Sequence, residues 1–236
     1  MKTTTSALRT AAAVGALALS SIASAIPISS MTVSWNDAVG GAGIVYNQAN
    51  GVFTDVRWGV GPPPSGLGFD PATPVDPAAN TDFLLGTLRH YNNPIQAGTA
   101  VSSVDLDLGA TITGATPMVQ LFAFRFLVDE TSNVAGTCVY PSTVPCADRI
   151  TFQNLDLTSA FAFGGNSYTL ALAGFRASVE SPLLAFFDSQ EGGTNTVGLY
   201  GRFIAAPTVR VPEPGTLGLI SLGLFLTGFA VRRKTR

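Results

Sequence analysis

The sequence predicts an all-β protein built as a single antiparallel β-sandwich or jelly-roll-like domain, and three observations support this fold class. Apolar and polar residues alternate with a period of two over short runs, as in Val104, Leu106 and Leu108 against Asp105 and Asp107. Gly-Gly pairs and prolines separate these runs, as turns between strands require. Outside the two chain ends, no window shows the 3.6-residue period of an amphipathic helix. Many short strands joined by turns are typical of a sandwich.

The predicted strands follow one another along the chain, and the clearest are residues 31–35, 104–108, 119–128, 151–157 and 168–172. Residues 61–77 contain so many prolines and glycines that we expect a long surface loop there rather than a paired strand. A linker between two domains is the alternative. The loop is favoured because residues 26–60 are too few for a stable separate domain.

The N-terminal segment has the three parts of a secretory signal peptide. Lys2 and Arg9 form a basic start, residues 11–20 are apolar or small, and Ala23 and Ala25 flank Ser24 in the small-x-small pattern that signal peptidase cleaves. The alternative is a buried or membrane-spanning helix, but the run is shorter than the roughly 20 residues that a bilayer requires. Residues 1–25 are therefore predicted to be a signal helix that is removed after Ala25.

The C-terminal segment, residues 211–236, also has three parts. Val211, Pro212, Glu213 and Pro214 come first, then the uncharged stretch 216–231, and then a basic end at 232–236. Sixteen helical residues reach only about 24 Å, less than the roughly 30 Å of a hydrocarbon core. We expect a short transmembrane helix with its basic end in the cytoplasm. The two prolines keep the backbone of residues 211–214 extended, and an extended backbone is the conformation that fits a protease cleft.

This tail resembles the PEP-CTERM sorting signal of Gram-negative bacteria that make exopolysaccharide. In that family an integral-membrane cysteine protease, the exosortase, recognises the Pro-Glu-Pro motif and processes the tail. The resemblance implies export, signal peptidase and exosortase as partners, and an inner-membrane intermediate held by the tail. The final location would be the cell envelope or the extracellular surface. An ordinary single-pass anchor with a chance Pro-Glu-Pro is the alternative.

The region between the two signals, residues 26–210, is long enough for one domain with its own core. It contains seven arginines, no lysine and fourteen acidic residues, so its net charge is −7. Binding to nucleic acid or anionic lipid requires clustered basic residues, and this composition argues against both. The acidic balance is typical of a soluble surface.

Cys138 and Cys146 are the two cysteines of the chain, and they lie close together in sequence. In an exported protein an even number of cysteines at short spacing predicts a disulfide. For so small a loop the expected stabilisation is about 2–3 kcal/mol. A zinc site would need further ligands that the neighbouring sequence does not supply, and a catalytic dithiol would normally have the Cys-x-x-Cys spacing.

A second resemblance covers most of residues 31–204. The segment 83–95 is similar to the signature of the THxN family of PEP-CTERM proteins, a phrase of the type Leu-Gly-Thr-Leu-Thr-His-x-Asn-x-Pro-Ile. Arg89 stands where the family has its second threonine. The family has no established activity, and the resemblance implies a surface-associated protein of the exopolysaccharide or biofilm system. The matching positions are Leu85, Gly86, Thr87, Leu88, His90, Asn92, Pro94 and Ile95.

His90 is the only histidine of the chain, and two interpretations of it remain open. It could be a general base or a metal ligand, supported by Asn92 and Asn93. Together with Pro94 these residues could also form a ligand contact, because ligands are often bound at residues just before a turn. It could instead be a structural side chain, hydrogen-bonded to backbone groups of the turn that Asn92, Asn93 and Pro94 enforce. A lone histidine without a patterned acid or nucleophile favours the structural interpretation.

No other motif predicts an enzyme. The chain has no Gly-x-Ser-x-Gly elbow and no phosphate-binding glycine loop. Asp105 and Asp107 share one side of a strand, which we expect to face solvent. No cofactor is expected, although a calcium site is conceivable because calcium takes oxygen ligands. Its candidate ligands are Asp70, Asp76, Asp129, Glu130 and Asp188.

The function predicted from the sequence is that of an exported, non-enzymatic cell-surface or extracellular-matrix protein that is sorted by exosortase and associated with exopolysaccharide. One alternative is a secreted carbohydrate-binding module with Trp58, Tyr91 and Tyr200 as an exposed stacking platform. Another is a polysaccharide-active hydrolase or lyase that uses His90.

Overall fold

The computed structural model describes residues 25–49, 53–133, 136–143, 145–155 and 159–206. Nearly all of the predicted signal helix and the whole C-terminal tail, including its predicted transmembrane helix, lie outside these residues. Within them the regular structure is entirely β. No helix in these ranges is long and apolar enough to cross a membrane. The strands are β1 (Ile28–Gly40), β2 (Val45–Ala49), β3 (Phe53–Trp58), β4 (Ser65–Pro71), β5 (Asp82–Asn92), β6 (Val101–Ile112), β7 (Met118–Asp129), β8 (Asp148–Asn154), β9 (Phe161–Phe163), β10 (Asn166–Arg176), β11 (Phe186–Ser189) and β12 (Gly193–Ala205).

The strands form two antiparallel sheets. The five-stranded sheet has the order β1-β6-β7-β8-β11, and the seven-stranded sheet has the order β2-β3-β4-β5-β12-β10-β9. Every strand pairing in both sheets is antiparallel. The predicted all-β class with antiparallel pairing is therefore confirmed for the described part of the chain, in a sandwich-like arrangement.

The period of two in the sequence corresponds to the two faces of the sheets. On β7 the side chains of Phe122, Phe124, Phe126 and Val128 are buried, and the residues between them are more exposed. Leu106 and Leu108 of β6 lie opposite Phe124 and Phe122 in the register. Because successive strand residues point to opposite faces, these side chains all enter the space between the sheets.

Aromatic side chains fill the core between the sheets. The Trp35 and Phe126 ring centroids lie 5.7 Å apart, and those of Phe126 and Phe175 lie 6.4 Å apart. Trp35 belongs to the five-stranded sheet, and its indole Nε1 donates a hydrogen bond of 3.1 Å to the carbonyl oxygen of Thr54 in the other sheet. The polar atom of a buried tryptophan thus joins the two layers.

The expectation of a long loop at residues 61–77 is wrong, because β4 occupies the middle of this segment and pairs with both β3 and β5. The prolines lie before residue 65 and from residue 71 onward, so they leave the ladder of β4 intact. Gly66 is required inside the strand, because a Cβ atom there would lie 2.2 Å from the carbonyl oxygen of Val56. The glycine permits a close approach of neighbouring backbones.

Arginine–aspartate pairs neutralise several of the acidic side chains. In five pairs an arginine nitrogen lies within 3.0 Å of an aspartate oxygen. Asp105 is one of these, and it is only 5% exposed because Arg125 covers it. Asp107 accepts a hydrogen bond from Asn36. The prediction that Asp105 and Asp107 share a solvent-facing side is therefore corrected for Asp105. The five pairs are Arg57–Asp55, Arg89–Asp70, Arg125–Asp105, Arg149–Asp188 and Arg202–Asp82.

Candidate functional site

His90 lies on the inner face of β5 and is fully buried. Its ring stacks on Trp58, with the centroids 6.3 Å apart. Burial lowers the pKa of His90 to about 3, so the imidazole is neutral at physiological pH. Neither ring nitrogen has a hydrogen-bond partner in the part of the chain that the structure describes. The expected hydrogen bond from His90 to the turn is thus absent from the described residues, and the ring exposes no surface to solvent.

The residues that follow His90 form hydrogen bonds to other segments of the fold. The Asn92 side chain donates a 2.7 Å hydrogen bond to the carbonyl oxygen of Ser189, which links the two sheets. The Asn93 side chain donates to the carbonyl oxygen of Pro64 at 3.0 Å. Pro94 is exposed just after the strand ends. These contacts tie the signature segment 83–95 to β11 and to the residues just before β4.

The proposed aromatic platform does not form. Trp58 is fully buried and Tyr200 is 9% exposed. Tyr91 is covered by Arg57, whose guanidinium carbon lies 3.3 Å from the ring centroid. Two of the three rings are buried and the third is covered by an arginine, so they do not form an exposed platform for stacking on a sugar.

The predicted disulfide between Cys138 and Cys146 is confirmed. Cys146 is buried, and its carbonyl oxygen accepts a hydrogen bond of 3.2 Å from the hydroxyl of Thr131. The side chain of Gln190 donates to the carbonyl oxygen of Pro145. The disulfide loop, residues 138–146, is therefore held against the segments that follow β7 and β11.

Three acidic side chains meet beside this loop. Glu130 follows β7, Asp148 begins β8, and Glu191 lies between β11 and β12. One carboxylate oxygen from each residue lies within 4.8 Å of the other two. The strand order β7-β8-β11 explains the meeting, because antiparallel neighbours bring the end of one strand beside the start of the next. We call Glu130, Asp148 and Glu191 the acidic cluster.

Burial and mutual repulsion hold protons on the acidic cluster. The pKa of Glu130 is raised to about 9, first by burial and then by the charges of Asp148 and Glu191. The pKa of Glu191 is raised to about 7, again by burial and then by Asp148. Burial also raises the pKa of Asp148, while a hydrogen bond from the Thr131 backbone opposes this shift. Carboxyl groups this close together cannot all ionise without a compensating cation.

Several oxygens in and around the acidic cluster lack hydrogen-bond partners. Asp148 accepts bonds from the Thr131 backbone nitrogen at 2.7 Å and from the Thr131 hydroxyl at 3.2 Å, both through Oδ1. Its Oδ2, and both carboxylate oxygens of Glu130 and Glu191, have no hydrogen-bond partner among the described residues. The Asn133 side chain, which lies beside Glu130 and lowers its pKa, also has a buried oxygen without a partner among the described residues. Such an arrangement can bind a cation or share protons.

Ser189 adds an oxygen from outside the acidic cluster. It is fully buried, and its hydroxyl has no hydrogen-bond partner within the described ranges. Ser189 lies directly opposite Asp148 in the β8–β11 register, so the two side chains lie on the same face of the sheet.

Of the calcium ligands suggested from the sequence, only Glu130 belongs to the acidic cluster. Asp70 and Asp188 pair with Arg89 and Arg149, and Asp129 accepts a hydrogen bond from Tyr140. Asp76 is exposed. Asp148 and Glu191 were not among the predicted ligands, because they are distant from Glu130 in the chain. The available signal was that Glu130 and Asp148 flank the disulfide loop and must meet if β7 and β8 form a hairpin.

Comparison with protein families adds a finding at the C-terminal end. The model of the PEP-CTERM protein-sorting motif matches residues 210–234. The chain thus carries the sorting signal of exported proteins that are processed by exosortase, which confirms the predicted sorting motif and implies a cell-envelope or surface location. A comparison with curated proteins found no match.

Proposed function

We propose that this chain is a non-enzymatic β-sandwich protein of the cell surface or extracellular matrix, delivered by exosortase and associated with the exopolysaccharide of a Gram-negative bacterium. The observation that carries the proposal is the sorting motif at residues 210–234. The THxN-type signature of segment 83–95 supports a place among exported, surface-associated proteins.

The placement of the signature residues supports a structural role for them. His90 and Asn92 are fully buried, and Asn92 bonds the opposite sheet rather than facing solvent. A hydrolase or lyase that used His90 would need the ring to reach its substrate, and the lowered pKa of His90 would make the imidazole a very weak base. The signature residues of segment 83–95 therefore stabilise the fold in this proposal, and the outer surface binds the exopolysaccharide.

The outer surface is suited to a hydrated neutral matrix. Lysine is absent from residues 26–210, and arginines pair with aspartates in the five ion pairs described above. Such a surface has few unpaired cations for nonspecific attraction to nucleic acid.

The proposal is tested by following the protein in cells that make exopolysaccharide and in cells that cannot. We expect the protein in the matrix fraction of the first and in the culture fluid or loose envelope fraction of the second. Purified protein added to isolated exopolysaccharide should cosediment with it and leave its chain length unchanged. Equal fractionation in both strains would contradict the association, and shortening of the polymer that is lost in His90→Gln would contradict the non-enzymatic role.

A further inference from the structure

The acidic cluster differs from the other buried acids of the described chain in how its charge is balanced. Asp55 and Asp105 are buried, and each is neutralised by an arginine. Glu130, Asp148 and Glu191 form no ion pair with a basic residue among the described residues. A buried carboxylate without a partner is costly, so the cluster requires protons or an external cation.

The geometry of the cluster fits a calcium ion. Two oxygens bound to one calcium at about 2.3–2.6 Å each lie at most about 5 Å apart. One oxygen from each of Glu130, Asp148 and Glu191 lies within 4.8 Å of the others. Magnesium, with bonds of about 2.0–2.1 Å, requires a tighter octahedral shell, and zinc prefers nitrogen and sulfur ligands, of which the cluster has none.

Neighbouring oxygens extend the ligand set beyond the three acids. The Asn133 amide oxygen is buried without a partner among the described residues, and the Asn133 side chain lies beside Glu130. The Ser189 hydroxyl is fully buried, unpartnered and on the same sheet face as Asp148. Calcium takes six to eight oxygens, and carboxylates, amide carbonyls and waters are its usual ligands.

The local backbone holds the three acids in place. Thr131 fixes Asp148 through its backbone nitrogen and its hydroxyl. Gly192 follows Glu191 with a φ of 89°, a conformation that favours glycine, and its nitrogen donates to the carbonyl oxygen of Asn92 at 2.9 Å. The Cys138–Cys146 disulfide closes the loop that leads into Asp148. The carboxylates thus come from three separately anchored segments.

We propose that Glu130, Asp148 and Glu191 form a calcium-binding site, with the Asn133 amide oxygen as a further ligand and the Ser189 hydroxyl holding a water of the coordination shell. The ion ties together the end of β7, the start of β8 and the β11–β12 connection. Because these segments meet at one end of the sandwich, calcium stabilises the fold.

The direct test is a calcium titration of the full-length chain after it has been stripped with EDTA. Calcium chloride should produce saturable binding in calorimetry. It should also raise the midpoint of thermal unfolding by about 3–6 °C at a calcium concentration about ten times Kd. Magnesium chloride at the same concentration should give a much smaller shift.

Neutral variants locate the site. Asp148→Asn retains the oxygen that accepts the Thr131 bonds but removes a charge, and Glu191→Gln removes a charge at the opposite side. Each should weaken calcium binding by at least about tenfold, because ligand charge sets calcium affinity. Glu180→Gln is the matched control, because Glu180 is exposed and its substitution should leave the calcium shift unchanged.

Three results would overturn the proposal. The first is an unchanged unfolding midpoint at about 10 mM calcium, ten times the weak end of the range for extracellular modules, about 10⁻³ M. The second is a full calcium shift in both Asp148→Asn and Glu191→Gln, which would place binding elsewhere. The third is an equal shift with magnesium. If Asp148→Asn fails to fold, the wild-type titration and Glu191→Gln still decide.

Discussion

At the scale of single residues, folding strongly lowers the pKa of His90. In the unfolded chain its imidazole titrates near pH 6.5. In the folded protein the ring is buried against Trp58, and its pKa falls to about 3 because the charged form loses its hydration. Between about pH 3 and pH 6.5, His90 therefore binds a proton in the unfolded chain but not in the folded protein.

The His90 shift predicts an acid-sensitive stability. A depressed pKa contributes stability that is complete above pH 6.5 and is lost as the pH falls through the window from 6.5 towards 3. In this window the wild-type protein should lose about 1.4 kcal/mol more per pH unit than His90→Gln. Urea unfolding at several pH values measures both slopes.

The comparison of slopes is robust because the other titrating groups are common to both proteins. Their contributions cancel in the difference, and His90→Gln need only remain folded enough to be measured at neutral pH. Identical slopes for the wild-type protein and the variant would contradict the burial of His90.

The sequence was only partly informative about this residue. The period of two places His90 on the same strand face as the buried Leu88, which indicates an inward-facing ring. The contact with Trp58 could not be predicted, because it depends on the register of β5 against β4 and of β4 against β3. Asp148 and Glu191 were missed for a similar reason, since the pairing of β8 with β7 and β11 is what brings them beside Glu130.

At the scale of elements, the disulfide loop is a local excursion that joins β7 to β8. The disulfide between Cys138 and Cys146 closes the loop. Hydrogen bonds from Thr131 and Gln190 hold the loop against the segments that follow β7 and β11. The pairing was predictable because both cysteines are close in sequence. The strand β4 was not predicted, because its glycines conceal the alternation that identifies other strands.

Removing the disulfide should destabilise the fold without changing its topology. The variant with both Cys138→Ser and Cys146→Ser should unfold with a free energy about 2–3 kcal/mol lower, because the unfolded chain regains the entropy of the open loop. Denaturant unfolding with and without a reducing agent measures this difference.

Reduction provides the control for this prediction. A reducing agent should lower the stability of the wild-type protein and leave the double serine variant unchanged. A variant as stable as the oxidised wild type would show that the loop is held by its hydrogen bonds alone.

At the scale of the whole molecule, three properties belong together. The domain is an all-β, two-sheet structure, its residues 26–210 carry a net charge of −7 without lysine, and its C-terminal end carries the sorting motif. The fold class and the sorting motif were predictable, because alternation and the three-part tail are local patterns. The ligand of the outer surface was not, since it depends on side chains gathered from many strands.

Sorting by exosortase is tested by the intact mass of the protein from cells with and without this enzyme. With the enzyme, the protein should lack its signal peptide and the residues after the Pro-Glu-Pro motif, and it should reach the surface. Without the enzyme, or with Glu213→Ala, it should retain the tail and stay in the inner membrane. A protein of the same mass and the same location in both strains would contradict sorting by exosortase.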